Sequence, residues 1–263
     1  AREAGRAALL LFSQGGDFIA GRLHRIEVMH RLGLRVMIPA YNRTNEICDG
    51  LLDTTSGGVT RFGRLVVEEC NRLGIVLDCT HVGARSAREI IDSSRDPVIF
   101  SHSNPSRLAP NPRNIDDGLI EACAARGGLI GLVAWGPLVM RPGSTHWPTL
   151  DEYIDMIAYA ANLLGGTAHL AFSTDMSLGT YPRHDADPWG APAYPGIADD
   201  YGRHVTADPR SAKRSLDGFS DYAHVFGLAE RMLARGFSEQ DVRGILGEHA
   251  LHLFEQVWHR ASR

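Results

Sequence analysis

Lysine is nearly absent from this chain of 263 residues: Lys213 stands alone, and arginine carries the rest of the positive charge. The formal net charge is −4, so there is no basic footprint for nucleic acid. Cysteine is scarce as well. Cys48, Cys70, Cys79 and Cys123 show no Cys-x-x-Cys spacing, and Cys79 and Cys123 fall inside apolar runs, where thiols pack as small hydrophobes; all four read as reduced and structural. No apolar run approaches the length that crosses a bilayer. The "LLLF" that follows the first arginines is too short for the apolar stretch of a signal peptide, so a cytoplasmic protein with a small-molecule or peptide ligand is expected. Gly-x-Ser-x-Gly is missing too, and Cys79 sits within a strand run, which leaves little basis for a serine or cysteine nucleophile.

What is present is a core-forming chain, 44% hydrophobic, of the length a single α/β barrel needs. Short apolar runs alternate with amphipathic ones. "ALLLFS", "LRVMIPAY", "IVLDCTH", "PVIFSHS", "LIGLVAW" and "HLAFSTD" read as strands. Between them lie helical patterns such as "GRLVVEECNRLG", "ARSAREIIDSS", "IDDGLIEACAARG" and "TLDEYIDMIAYAANLLG". That order predicts an α/β fold with a parallel sheet and crossover helices, in one domain spanning residues 1–263. The stretch from 176 to 216 is rich in Pro, Gly, Asp and Tyr without periodicity, which is the mark of a functional loop. Two closing helices follow, the second over "SEQDVRGILGEHALHLFEQVW", opened by Ser238 as N-cap with Asp241 at capping-box distance. An eight-stranded barrel needs two more strands than these six. One is assigned to the 176–216 region, and the other, the first strand, to an N-terminal portion outside this sequence; a barrel with missing staves exposes a sheet edge.

In parallel β/α folds, side chains at the carboxyl ends of strands carry the chemistry. Those ends hold Gln14, Tyr41 and Asn42, His81, His102 and Asp175. Imidazoles at the ends of adjacent parallel strands, about 5 Å apart, can converge on one metal ion. A strand-end histidine can equally be a hydrogen-bonded structural residue. From the residues alone, the structural and metal-binding readings are evenly balanced.

The stretch from "TRFGRLVVEECNRLG" through "IVLDCTHVG", "PVIFSHS", "RNIDD" and "GGLIGLV" resembles the membrane (renal) dipeptidase family of zinc peptidases. "LGLRVMIPAYNRTN", "FSTD" and "GILGEHALHLFEQV" extend the likeness over nearly the whole chain. The resemblance implies a distorted (β/α)8 barrel of the metal-dependent hydrolase type, with two zinc ions sharing a bridging glutamate. It makes His81 and His102 ligands of one zinc, places Arg113 and Asn114 against the substrate with Arg113 clamping its carboxylate, and makes Asp175 the acid/base. It implies a small peptide or amide substrate, and homodimers are common among such proteins.

The chain departs from that pattern in three places. No His-x-Asp pair occurs near its start. Gln14 of "SQGGD" stands where the family has the bridging glutamate, and an amide cannot neutralise two dications. Tyr41 replaces a substrate-contacting histidine and can donate a hydrogen bond to an oxyanion, although it is a poor base. The expectation is therefore a hydrolase with one zinc ion held by His81, His102 and Gln14, with Asp175 and Tyr41 as catalytic groups. Its rival is a non-catalytic barrel relative that binds a ligand or partner.

Overall fold

The computed structural model describes residue 5 and residues 9–53, 56–176 and 215–261. The strand and functional loop expected between 176 and 216 therefore lie almost wholly outside the described residues. The chain divides into two compact units, one formed by Ala1–Ser101, Gly118–Ile130 and Glu248–Arg263, the other by His102–Asp117 and Gly131–Gly247.

In the first unit β1 (Leu11–Gln14), β2 (Leu34–Ile38) and β3 (Val76–Leu77) are parallel neighbours in chain order, with Phe12 opposite Val36 and Val36 opposite Val76. A parallel bridge from Asp78 to Ile99 leads to β4 (Ile99–Phe100), which pairs in parallel with Leu129 and Ile130 at the start of β5 (Leu129–Val133). The crossovers are α1 (His24–Arg31), α2 (Arg61–Leu73), α3 (Ala84–Ser93) and α4 (Asp117–Ala125). This is the α/β alternation that the apolar runs predict. β2, β3 and β4 are buried, and Val66, Cys70, Ile90, Ile120 and Cys123 are among the helix residues buried with them. All four cysteines are free and buried. Gly128 permits the tight return into β5: a Cβ there would lie 2.4 Å from the Val98 carbonyl oxygen and 2.5 Å from Cys123 Sγ.

β1 behaves differently from its neighbours. Leu9, Leu10, Leu11 and Phe12 are exposed, and among the described residues this apolar strand stands at the edge of its sheet, a position on which other chains can template. Among the described residues the strands do not close into a barrel.

The second unit holds the far half of β5 and β6 (Leu170–Ser173), joined where the Ala134 amide donates to the Ser173 carbonyl at 2.8 Å. Around them are α5 (Gly136–Val139), α6 (Leu150–Leu164), α7 (Val225–Ala234) and α8 (Glu239–Arg243). Thr149 and Glu152 close a capping box at the start of α6, satisfying amides that the first turn leaves without carbonyl partners. Ser238 and Asp241 do the same for α8. Tyr153 is fully buried on α6, its hydroxyl donating to the Leu132 carbonyl at 2.7 Å, with Phe172 and Phe219 packed edge-on nearby.

The single closing helix expected over 238–258 is broken. α8 stops at Arg243, Gly244–Glu248 forms a π-type turn, and α9 (His249–Ala261) belongs to the first unit. Gly244 and Gly247 lie in that turn; glycine is a poor helix former, and two within four positions weaken the ladder there. Leu253 and Val257 on α9 are buried, as the periodicity expects, whereas Leu246 is only half-buried.

Candidate active site

In the first unit the site is built around His81. The imidazole is 4% exposed. Its Nδ1 lies 2.7 Å from Oδ1 of Asn42, and its ring stacks on Tyr41 with centroids 4.0 Å apart and planes 28° apart. An amide oxygen only accepts, so Nδ1 is the donor in this contact. In a neutral ring, a proton on Nδ1 leaves the lone pair on Nε2, the arrangement a metal-ligating histidine presents.

The backbone here is held under strain. His81 (φ 68°) and Asn42 (φ 60°) are both left-handed, a conformation rare outside glycine and found at functional positions when the surroundings enforce it. The enforcing segment is residues 48–52. Leu51 donates its amide to the His81 carbonyl at 3.0 Å, and Leu52 donates to the Asn42 carbonyl at 2.9 Å. Gly50 bridges to Val82. A Cβ on Gly50 would fall 2.2 Å from both the Arg43 amide nitrogen and the Asn42 carbonyl carbon, so only glycine fits where the two segments meet.

Asp78 braces the same strand ends from within the core. Its Oδ1 accepts from the Thr80 amide at 2.9 Å, the Thr80 hydroxyl at 2.7 Å and the Ser101 amide at 3.0 Å. Oδ2 is buried without a partner among the described residues, and burial raises the carboxyl pKa. The bonded residues immediately precede His81 and His102 in the chain. Gln14 ends the exposed β1 and is itself exposed.

In the second unit His102 is buried, and desolvation, followed by the charge of Arg113, holds its pKa well below the ordinary imidazole range. The ring is therefore neutral, the form that binds metal. Arg113 is 3% exposed. Its Nη2 donates weakly to the His102 carbonyl at 3.4 Å, while Nε and Nη1 are buried with no hydrogen-bond partner among the described residues. It is buried rather than held at the surface, and Asp117 Oδ2 accepts from the Tyr159 hydroxyl at 2.8 Å. Asn114 is occupied by its own loop. Its Oδ1 accepts from the Asn104 amide, and its Nδ2 donates to the Ala109 and Leu138 carbonyls. Asn104 in turn bonds Val133 and Leu138, so the two asparagines anchor the turn that presents Arg113. Asp175 follows β6, exposed and left-handed (φ 52°).

Within the first unit, then, the fold brings Tyr41 to His81; within the second it brings Arg113 to the His102 backbone. Sequence reasoning noticed Asn42 as a strand-end polar residue and missed its contact with His81, and it missed the 48–52 segment entirely. The available signal was residue type: asparagine and glycine are the residues that tolerate left-handed or close-packed backbone.

Residues 1–187 match the sequence profile of the membrane dipeptidase family, peptidase family M19. The chain belongs to the membrane dipeptidase family. Relatives within reach are dipeptidase verJ of Clonostachys rogersoniana, 23% identical over 97% of this chain, and dipeptidase aclJ of Aspergillus oryzae, 25% identical over 98%. The chain spans about half the length of these relatives, 56% and 53%. A solved amidohydrolase from Pseudomonas aeruginosa superposes with a TM-score of 0.82 at 27% identity, covering 98% of this chain and 75% of that one. A metallopeptidase from Rhodobacter sphaeroides, solved with a phosphinate mimic of the dipeptide L-Ala-D-Ala, superposes at 0.73 with 22% identity, covering 95% and 63%, a likeness of fold.

M19 peptidases are metalloenzymes, so the donor chemistry has to be matched to a metal. Imidazole is a zinc-ligand type, and His81 in the first unit and His102 in the second each offer one. Gln14 is neutral and exposed, and no group of three or more His, Cys, Asp or Glu side chains gathers among the described residues. No helix among the described residues is long and apolar enough to cross a membrane.

Proposed function

We propose that the chain is a dipeptidase-like hydrolase of (β/α)-barrel architecture in a single domain. In this reading it acts on a dipeptide or a similarly small amide with a free carboxylate, with one zinc ion held by His81 and His102 and with Gln14 as a neutral oxygen donor. The observation that carries this reading is Arg113. A guanidinium that is almost fully buried with two nitrogens unpartnered among the described residues is costly to the fold, and its planar fork is matched to a carboxylate. Recognition of a terminal carboxylate is also what separates a dipeptide from an internal peptide bond.

When bound, zinc polarises a carbonyl and acidifies water. The chain's own groups do the rest. Arg113 fixes the carboxylate end, Tyr41 donates a hydrogen bond to the carbonyl oxygen as charge develops on it, and Asp175 takes a proton from the attacking water and returns it to the leaving amine. The test is hydrolysis of L,L and L,D dipeptides and their C-terminal amides by zinc-supplemented protein. Charge-assisted hydrogen bonds contribute about 1.5–3 kcal/mol each, so the free acids should exceed the amides in kcat/KM by about tenfold or more. Equal rates would remove Arg113 from this role.

A second reading, a barrel relative that binds a carboxylated ligand without turnover, is favoured by Gln14 at the bridging-carboxylate position. Protein that takes up no zinc on titration yet binds dipeptides would establish it.

A further inference from the structure

We infer that Asn42 is a positioning residue that locks His81 in its Nδ1-protonated tautomer and thereby aims Nε2 as the donor nitrogen; its link to zinc rests on the metal reading above. Both residues are 4% exposed, so bulk water has little access to the pair. The Asn42 amide oxygen approaches Nδ1 at 2.7 Å and can only accept. Tyr41, the residue before Asn42, lies against the face of the same ring, which restricts its rotation about the bond that Asn42 anchors. Both backbones are left-handed, and both carbonyls are held by consecutive amides of one segment, Leu51 for His81 and Leu52 for Asn42. The two residues are therefore fixed as a pair. A strained backbone, a buried amide and an aromatic wall all act on one imidazole orientation, more than packing alone requires.

The test uses the full chain labelled with 15N-histidine, with His81 assigned by comparison with His81→Gln. Long-range proton–nitrogen correlation at a pH where the ring is neutral should report Nδ1 as the protonated nitrogen and Nε2 as the bare one. Asn42→Gly removes the amide while tolerating the left-handed backbone, and it should produce a tautomer mixture and weaken zinc uptake about 10- to 100-fold. Asn42→Asp keeps an acceptor at the same place and should restore both the tautomer and the uptake. A proton on Nε2 in the unsubstituted protein would overturn the inference, as would an Asn42→Gly spectrum unchanged at His81. If the tautomer follows Asn42 as described while the unsubstituted protein takes up no zinc, Asn42 stands as the positioning residue and the metal reading falls.

Discussion

A single buried carboxylate ties together the strand ends from which His81 and His102 follow. Asp78 makes three hydrogen bonds through one oxygen and none through the other among the described residues, and burial lifts its pKa above the ordinary value of 3.8. A folded-state pKa above the unfolded one means that the folded chain holds more protons between the two values. The contribution of Asp78 is then fully present below the unfolded pKa and is lost as pH rises through the folded one. Asp78→Asn keeps the bonded oxygen and removes the charge, so its stability relative to the unsubstituted chain should improve steadily from about pH 4 towards neutrality. Urea unfolding at a series of pH values measures this, and a difference independent of pH would count against a raised carboxyl. In the second unit, Tyr153→Phe strips the donor from the Leu132 carbonyl and should lower stability by about 1 kcal/mol in the same assay.

Segment 48–52 shows how an element without regular structure can carry a site. Gly50→Ala would drive a methyl group into the Asn42 carbonyl and the Arg43 amide. A loss of about 1–3 kcal/mol is expected from overpacking, with weakened zinc uptake because His81 loses its brace. Calorimetric melting and zinc titration read the two effects separately. This element was invisible in the sequence for a physical reason: its contacts are non-local. Asn42 and His81 are 39 positions apart, and nothing in the periodicity of either neighbourhood relates them. The strand ends were legible because an apolar run that stops at a polar residue marks the sheet's carboxyl edge. Ser238 and Asp241 were legible because a capping box is local. The break after α8 was not, since apolar spacing continues across Gly247 even where the helical backbone does not. The exposed face of β1 also escaped a pattern in which "LLLF" reads as interior strand.

At the scale of the whole molecule, the α/β alternation and the family followed from sequence, whereas the ion count depends on which carboxylates reach the histidines. One zinc per chain is expected by metal analysis after titration, with His81→Ala and His102→Ala each abolishing uptake; two equivalents would restore the bridged pair that Gln14 argues against. Substrate recognition turns on Arg113. Its guanidinium, with Nε and Nη1 unpartnered among the described residues, reads as stability given up for recognition, so Arg113→Met should leave the melting temperature unchanged or raised. The most direct measurement is the ratio of kcat/KM for a dipeptide to that for its C-terminal amide, in the unsubstituted protein and in Arg113→Met. A ratio of about ten or more that falls to near one in the variant is expected, and a ratio that survives the substitution would contradict carboxylate recognition by Arg113.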